Sequence, residues 1–303
     1  MREEKKKTRY VEKEDEPEII IEEKEKKEHP RLRKTIITIG LILLAIFIYI
    51  HNIEPKHFVI KEYKVEDKMI PESFNGIKIV QFSDVHYGTT VNKKELDKIV
   101  TLINQQKPDI IVFTGDLIDK TIIIDDSTKN EITASLSKLE ATLYKYAIYG
   151  NEDDEKEYKE IMENSHFNLL KNETTLLYYQ EETPILISGF DPLDSSPKYS
   201  VIAEKKDDIE TTNLYKIVLA HEPDTIYEVV DYNPNLVLTG STLGGSINII
   251  RPWFVHKAKH FLDYERINET DLYISNGLGT KGLNVRFNNS PSITLYRLYT
   301  EKE

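Results

Sequence analysis

The sequence predicts a layered α/β domain preceded by one apolar helix. From residue 58 onward, short and strongly apolar runs alternate with helical spacing of hydrophobic residues, the pattern of sheets covered by helices. Several of those runs end in a polar motif containing Asp, Asn or His, and the edge where strands end is where α/β sheets bind ligands. Ahead of all this, Thr35 to Ile53 contains no charged residue and is almost wholly Ile, Leu, Ala and aromatic.

The N-terminal part justifies the helix. As an α-helix, residues 35–53 would reach roughly 28 Å, close to the hydrocarbon thickness of a bilayer. The stretch is apolar on all sides, which suits lipid better than a half-buried position in a core. A long charged tail precedes it and no small-residue cleavage signal follows, so a retained single-span anchor is expected rather than a signal peptide. Arg31, Arg33 and Lys34 abut the span on one side and Glu54 on the other. The excess of positive charge on the first side places the N-terminus in the cytoplasm and the domain, residues 54–303, outside it. Residues 1–34 mix Lys, Arg, Asp and Glu so densely that a disordered cytoplasmic tail is expected.

The 303 residues suffice for one large α/β core, and the absence of cysteine leaves only oxygen and imidazole to hold a metal. A formal net charge of −12 argues against nucleic acid as a partner, since phosphate backbones are bound by basic surfaces.

Within the domain, strands are expected at Phe58 to Val65, Ile77 to Phe82, Ile110 to Phe113, Ala147 to Tyr149, Ile217 to Leu219 and Leu236 to Leu238, with helices at Lys93 to Ile103 and Ile132 to Leu143. Asp84 and His86 follow the second strand, Asp116 the third, Asn151 and Glu152 the fourth, and His221 the fifth. A D-x-H pair can aim two ligands at one ion, and a carboxylate after glycine, as in Gly115-Asp116, can approach closely enough to bridge two cations. Asparagine adds a neutral oxygen donor. Asp119 reads as a carboxylate that orients a ligand or caps a helix. Singly, each motif fits an ordinary loop; five ligand-type residues at successive strand ends do not.

The order of these motifs resembles the calcineurin-like metallophosphoesterases, in particular their membrane-associated bacterial branch. That family runs D-x-H, G-D-x-x-D, G-N-H-D, a later histidine and then G-H-x-H. Here the likeness covers about residues 58–300 and extends to His221-Glu222-Pro223-Asp224, Gly277-Leu278-Gly279-Thr280 and Arg286-Phe287-Asn288-Asn289. The resemblance implies a four-layer α/β/β/α sandwich and hydrolysis of a phosphate mono- or diester by in-line attack of an activated water. It also implies Mn²⁺, Fe²⁺ or Zn²⁺, one ion or two. Asp84 and His86 would serve the first metal, Asn151 and His221 the second, and Asp116 would bridge them.

The chain departs from that pattern at three histidines. Glu152 stands where the family has a histidine at the leaving oxygen, and Ser241 and Leu243 stand at the two histidines of G-H-x-H. Ser246 and Ser292 replace a glutamine and a glutamate. Each metal would lose one ligand. A reduced centre on Asp84, His86 and Asp116 is the expectation, with catalytic roles for Asp84, Asp116, Asn151 and Glu152. Glu152, or His256 with His260 at i,i+4 spacing, could supply substitute ligands. The alternative is an inactive pseudophosphoesterase that binds a ligand or scaffolds a partner. Trp253, Phe254, Phe261 and Leu262, interleaved with Arg251, Lys257 and Lys259, could form a flap admitting lipid headgroups, so the substrate is expected to be a phosphorylated small molecule or lipid.

Overall fold

The computed structural model describes residues 30–180, 183–192, 205–206, 209–243, 260 and 262–301. The N-terminal helix α1 (Pro30–Ile48) has no buried residue and continues as a π turn, Tyr49–Ile53, and a 3₁₀ turn, Glu54–Lys56. Its residues 30–34 are therefore helical, although the sequence places them in the tail. The helical stretch Pro30–Lys56 is long and apolar enough to cross a membrane.

Two six-stranded mixed sheets form the domain. The first contains β1 (Val59–Asp67), β2 (Lys78–Phe82), β3 (Ile110–Phe113), β4 (Tyr144–Ala147), β5 (Asn168–Leu169) and β14 (Ser292–Thr300), in the order β1-β14-β2-β3-β4-β5. The second contains β6 (Glu173–Leu177), β7 (Ile185–Gly189), β10 (Lys216–Leu219), β11 (Leu236–Thr239), β12 (Tyr264–Ile267) and β13 (Thr270–Ile274), in the order β12-β13-β11-β10-β7-β6. A small hairpin, β8 (Lys205–Lys206) and β9 (Ile209–Glu210), stands apart. Strands β2 to β5 run parallel, as do β7, β10, β11 and β13, so their C-terminal ends share an edge within each sheet.

Both faces of the central strands are covered, which is why they read as continuous apolar runs rather than alternating ones. Ile79, Ile110, Val112 and Tyr146 of the first sheet meet Ile187, Ile217, Leu219 and Leu238 of the second in a core between the sheets. Val80, Phe82, Ile111 and Phe113 point the other way and pack against α2 (Lys93–Gln105), α3 (Asp126–Leu136) and α4 (Glu155–Asn164). On the far face of the second sheet, Leu186, Val218 and Val237 cover Ile226 and Val229 of the short helix α5 (Ile226–Val229). Three cores separate four layers, helix, sheet, sheet, helix, with the last layer thin.

Local chemistry sets the boundaries. Asn92 accepts the Lys94 N–H and Glu95 returns to the Asn92 N–H, a capping box that starts α2. The fourth expected strand and the second expected helix are shifted. Asp125 caps α3 through the Thr128 N–H, so the helix begins earlier than its apolar spacing suggests and ends at Leu136. That leaves Tyr144 free to pair with Ile110 in β4, while Ile148 to Gly150 form the loop leading to Asn151. A 730 Å³ cleft lined by Asp67, Lys216, Asn235 and Arg266 lies where β10 and β11 begin, at the edge away from the motif loops.

Candidate metal centre

Backbone hydrogen bonds fasten the motif loops to one another. The Asp84, His86 and Tyr87 N–H groups donate to the carbonyls of Gly115, Asp116 and Leu117 at 2.9, 3.2 and 2.8 Å. The Gly279 N–H reaches the Asp84 carbonyl at 2.7 Å and the Gly240 N–H the His221 carbonyl at 2.9 Å. Asp84, His86, Asp116, Ser241 and Leu243 all have positive φ, between 42° and 68°. For side chains other than glycine this conformation costs energy and gathers at functional sites. Glycine fills the tightest approaches: a Cβ on Gly240 would lie 2.1 Å from Ser83 Oγ, and one on Gly150 2.2 Å from Asp116 Oδ1.

Donor atoms of Asp84, His86 and Asp116 converge within 4.8 Å of one another, and all three residues are buried. His86 Nε2 stands 3.9 Å from Asp84 Oδ1 and 3.7 Å from Asp116 Oδ2. His221, also buried, donates from Nδ1 to the Thr114 carbonyl at 2.7 Å, which turns Nε2 toward Asp116 Oδ2 at 3.2 Å. A second cluster joins His86 Nδ1 to Asp119 Oδ2 at 3.9 Å and Glu152 Oε2 at 3.5 Å. Asp119 is held by the backbone N–H and hydroxyl of Thr121. Asn151 is exposed on the turn beside this centre.

Asp153 was missed by sequence reasoning. Its buried carboxylate accepts the N–H groups of Asp116, Leu117 and Gly150 at 2.7 to 2.8 Å, clamping the two ligand loops together. Burial, then the charge of Asp116, pushes its pKa up to about 7 against those three hydrogen bonds. The signal was present in the motif itself, since Asp153 stands at the final Asp of G-N-H-D in Gly150-Asn151-Glu152-Asp153. Arg286 is fully buried and donates to the carbonyls of Asn276, Gly277, Gly279 and Asn289, so it knits the last loop together. Glu54, the charge that follows the apolar span, is buried and accepts the Asn289 N–H at 2.7 Å.

The electrostatics favour a cation. Burial by itself would lower His221, but Asp116 and Asp84 beside it overcome this and raise its pKa to about 10. Burial works upward on Asp116, and the His221 and His86 rings outweigh it, holding Asp116 down at about 2. Burial raises Asp84. The same buried carboxylate charge that raises His221 would attract a divalent ion, whose binding would displace the imidazole proton. Both ring nitrogens of His86 and Nε2 of His221 are buried without a hydrogen bond among the described residues. Oxygen and imidazole donors with unused lone pairs fit Mn²⁺, Fe²⁺ or Zn²⁺.

The replaced positions act differently. The Ser241 N–H donates to both Asp84 oxygens at 3.1 and 3.2 Å, and the Leu243 side chain is buried against Gly277. His260 donates or accepts at Glu265 (2.7 Å) and Tyr227 (2.8 Å), so both its nitrogens are engaged and it does not join the centre. His256, Ser246 and three residues of the expected flap, Trp253, Phe254 and Phe261, lie outside the described residues, whereas Leu262 is exposed.

A cluster of oxygen and imidazole donors on the strand-end loops of a two-sheet sandwich is a candidate metal centre. Residues 77–275 match the model of the calcineurin-like phosphoesterases, and the chain belongs to that family. It is 33% identical to the uncharacterized metallophosphoesterase YkuE of Bacillus subtilis, covering 82% of this chain and 88% of that protein. It is 28% identical to the transmembrane protein with metallophosphoesterase domain of Danio rerio, over 86% of this chain and 62% of that protein. The phosphodiesterase YaeI of Escherichia coli is 24% identical over 83% of this chain and 92% of its own length.

Proposed function

We propose that this protein is a membrane-anchored, metal-dependent phosphoesterase acting on phosphate mono- or diesters from an extracytoplasmic domain. The convergence of buried Asp84, His86 and Asp116 donors within 4.8 Å carries this reading. These residues would hold one divalent cation firmly. Asp116, His221 and the exposed Asn151 would make a second, weaker position, since Ser241 and Leu243 contribute no imidazole. A bound cation there supplies Lewis acidity, polarising the phosphoryl group and lowering the pKa of water.

The chain's own residues supply the rest. Asp116, kept ionised by its histidine neighbours, would serve both positions. His221 is fixed by the Thr114 carbonyl so that Nε2 presents a lone pair once its proton is displaced. Asp153 keeps the Asp116 and Asn151 loops in register through three backbone N–H groups. Glu152 stands on the outer side of the cluster, where its carboxylate positions cationic side chains rather than protonating a leaving oxygen. A relative 24% identical carries the name phosphodiesterase, which supports testing diesters first. The exposed apolar length of α1 supports a membrane location, with lipid headgroup phosphates as candidate substrates.

The test is hydrolysis of bis(p-nitrophenyl) phosphate and p-nitrophenyl phosphate by the full chain in detergent, titrated with Mn²⁺, Fe²⁺ and Zn²⁺. The full chain is needed because the Arg286 N–H donates to the Ile50 carbonyl, an acceptor that a chain beginning at residue 54 would lack. Turnover that requires metal supports the reading. No turnover of either ester with any of the three ions, in protein shown to bind them, rejects it in favour of a binding module.

A further inference from the structure

We infer that Lys281 is a phosphate-binding residue, a built-in cation that takes over part of the charge neutralisation otherwise left to a second metal. This rests on the phosphoesterase reading and names which group of the chain meets the phosphoryl oxygens.

The observation is the surroundings of Glu152. Its side chain is only 2% exposed, and on the inner side it shares a donor cluster with His86 and Asp119. Two lysines reach it from outside: Lys281 Nζ at 2.6 Å and Lys120 Nζ at 3.1 Å, both on Oε1. Its other oxygen, Oε2, stands 3.5 Å from His86 Nδ1. One carboxylate therefore separates the Lys281 ammonium from a residue of the first ligand cluster.

Lys120 and Lys281 differ in how they are held. The Lys120 side chain is 64% exposed and that of Lys281 38%. Lys281 also stands on the loop whose backbone is tied directly to the centre: the Leu278 and Gly279 N–H groups bond to the Asp84 carbonyl, and Arg286 fixes the carbonyls of Gly277 and Gly279. An ammonium placed on such a fixed loop loses little further freedom when it binds. Glu152 orients it toward the cluster in the absence of substrate. A phosphate dianion entering beside His86 offers the ammonium more negative charge than one carboxylate does, and a half-exposed lysine can swing between the two acceptors.

The charge balance at the centre points the same way. Loss of imidazole donors at Ser241 and Leu243 weakens the hold on two divalent ions, while the transferring phosphoryl group still needs positive charge along its oxygens. A lysine needs no ligands to remain there. Glutamate in place of a histidine at position 152 then has a role, since a histidine would repel the ammonium when protonated and could not form the short ion pair.

The test uses full-length protein in detergent loaded with Mn²⁺, with inorganic phosphate as probe. Phosphate affinity is read by calorimetry and Mn²⁺ affinity and stoichiometry by electron paramagnetic resonance. Lys281→Gln is expected to weaken phosphate binding about tenfold or more, the size of a lost charge-assisted hydrogen bond, while Mn²⁺ affinity changes less than about threefold. Lys281→Arg should recover most of the loss. Lys159→Gln removes the same charge from the exposed face of α4, where Lys159 pairs with Glu163, and should leave phosphate binding within about twofold. Unchanged phosphate affinity in Lys281→Gln, in a protein whose wild type hydrolyses esters, overturns the lysine assignment alone and leaves it as the counterion of Glu152. A wild type that takes up Mn²⁺ but binds no phosphate and hydrolyses nothing overturns both readings.

Discussion

Asp116 shows why one carboxylate can be indispensable here. Its Oδ2 lies 3.7 Å from His86 and 3.2 Å from His221, and its Oδ1 accepts the Glu152 N–H at 2.9 Å. Asp116→Asn keeps the shape and removes the charge that draws a cation. It is expected to lower metal-dependent turnover by at least about 10³-fold, and to abolish the rise in melting temperature that Mn²⁺ gives the wild type, about 2.7 kcal/mol of stabilisation at a hundred times Kd. A pH effect follows from His221, whose folded pKa of about 10 lies above its ordinary 6.5. The proton it holds stabilises the metal-free protein fully below about pH 6.5, and that contribution is lost as pH rises through about 10. Thermal scans of metal-free protein should therefore show a falling midpoint across this window, and Asp116→Asn should flatten it. Excess Mn²⁺ should flatten it too, because the ion takes the place of the proton. A midpoint independent of pH between 6.5 and 10 in the metal-free wild type would show that His221 is neutral.

Elements matter through the loops they end in. The α4 helix starts three residues beyond Glu152, with Asp154 as its N-cap accepting the Lys156 and Glu157 N–H groups, both at 3.0 Å. Asp154→Ala should cost about 1 kcal/mol in urea denaturation. Gly150→Ala is expected to do more harm to function than to the strands, since its Cβ would meet Asp116 Oδ1 and the Asp116 N within 2.3 Å. Metal affinity should fall while far-ultraviolet dichroism stays native. The apolar runs of β2, β3, β10 and β11 were legible in the sequence because these strands are buried on both faces. The α3 and β4 boundaries were not: the apolar spacing of Ile132 and Leu136 continued past the helix end, and only pairing of Tyr144 with Ile110 decided where the strand began. Helix α4 and strands β6, β7 and β12 to β14 were not expected from the sequence, although Ile185 to Ile187 in β7 and Ile293, Leu295 and Leu298 in β14 are buried like the residues of β2.

At the scale of the molecule, the sandwich brings together loops that are far apart along the chain, and its apolar N-terminal helix supports a membrane location for that chemistry. Cell fractionation should recover the protein with membranes, in a form that high salt does not extract and detergent does; recovery in the soluble fraction would mean that α1 is removed or serves another purpose. Reinstating the family pattern with Glu152→His, Ser241→His and Leu243→His together should raise bound Mn²⁺ from about one equivalent toward about two if the present centre is reduced by ligand loss. No gain in bound metal would mean that the backbone at Ser241 and Leu243, held at φ 68° and 51°, no longer aims side chains at the cluster. The sequence by itself determined the central strands β2, β3, β10 and β11, the apolar helix and the ligand types, because burial and metal affinity are written into residue chemistry and into its position after each apolar run. Only the tertiary structure decided that Asp153 clamps two loops, that Glu54 is buried against Asn289, and that Lys281 reaches Glu152. Those contacts join residues whose separation along the chain carries no signal, and the free energy of a buried charge depends on what the fold places beside it.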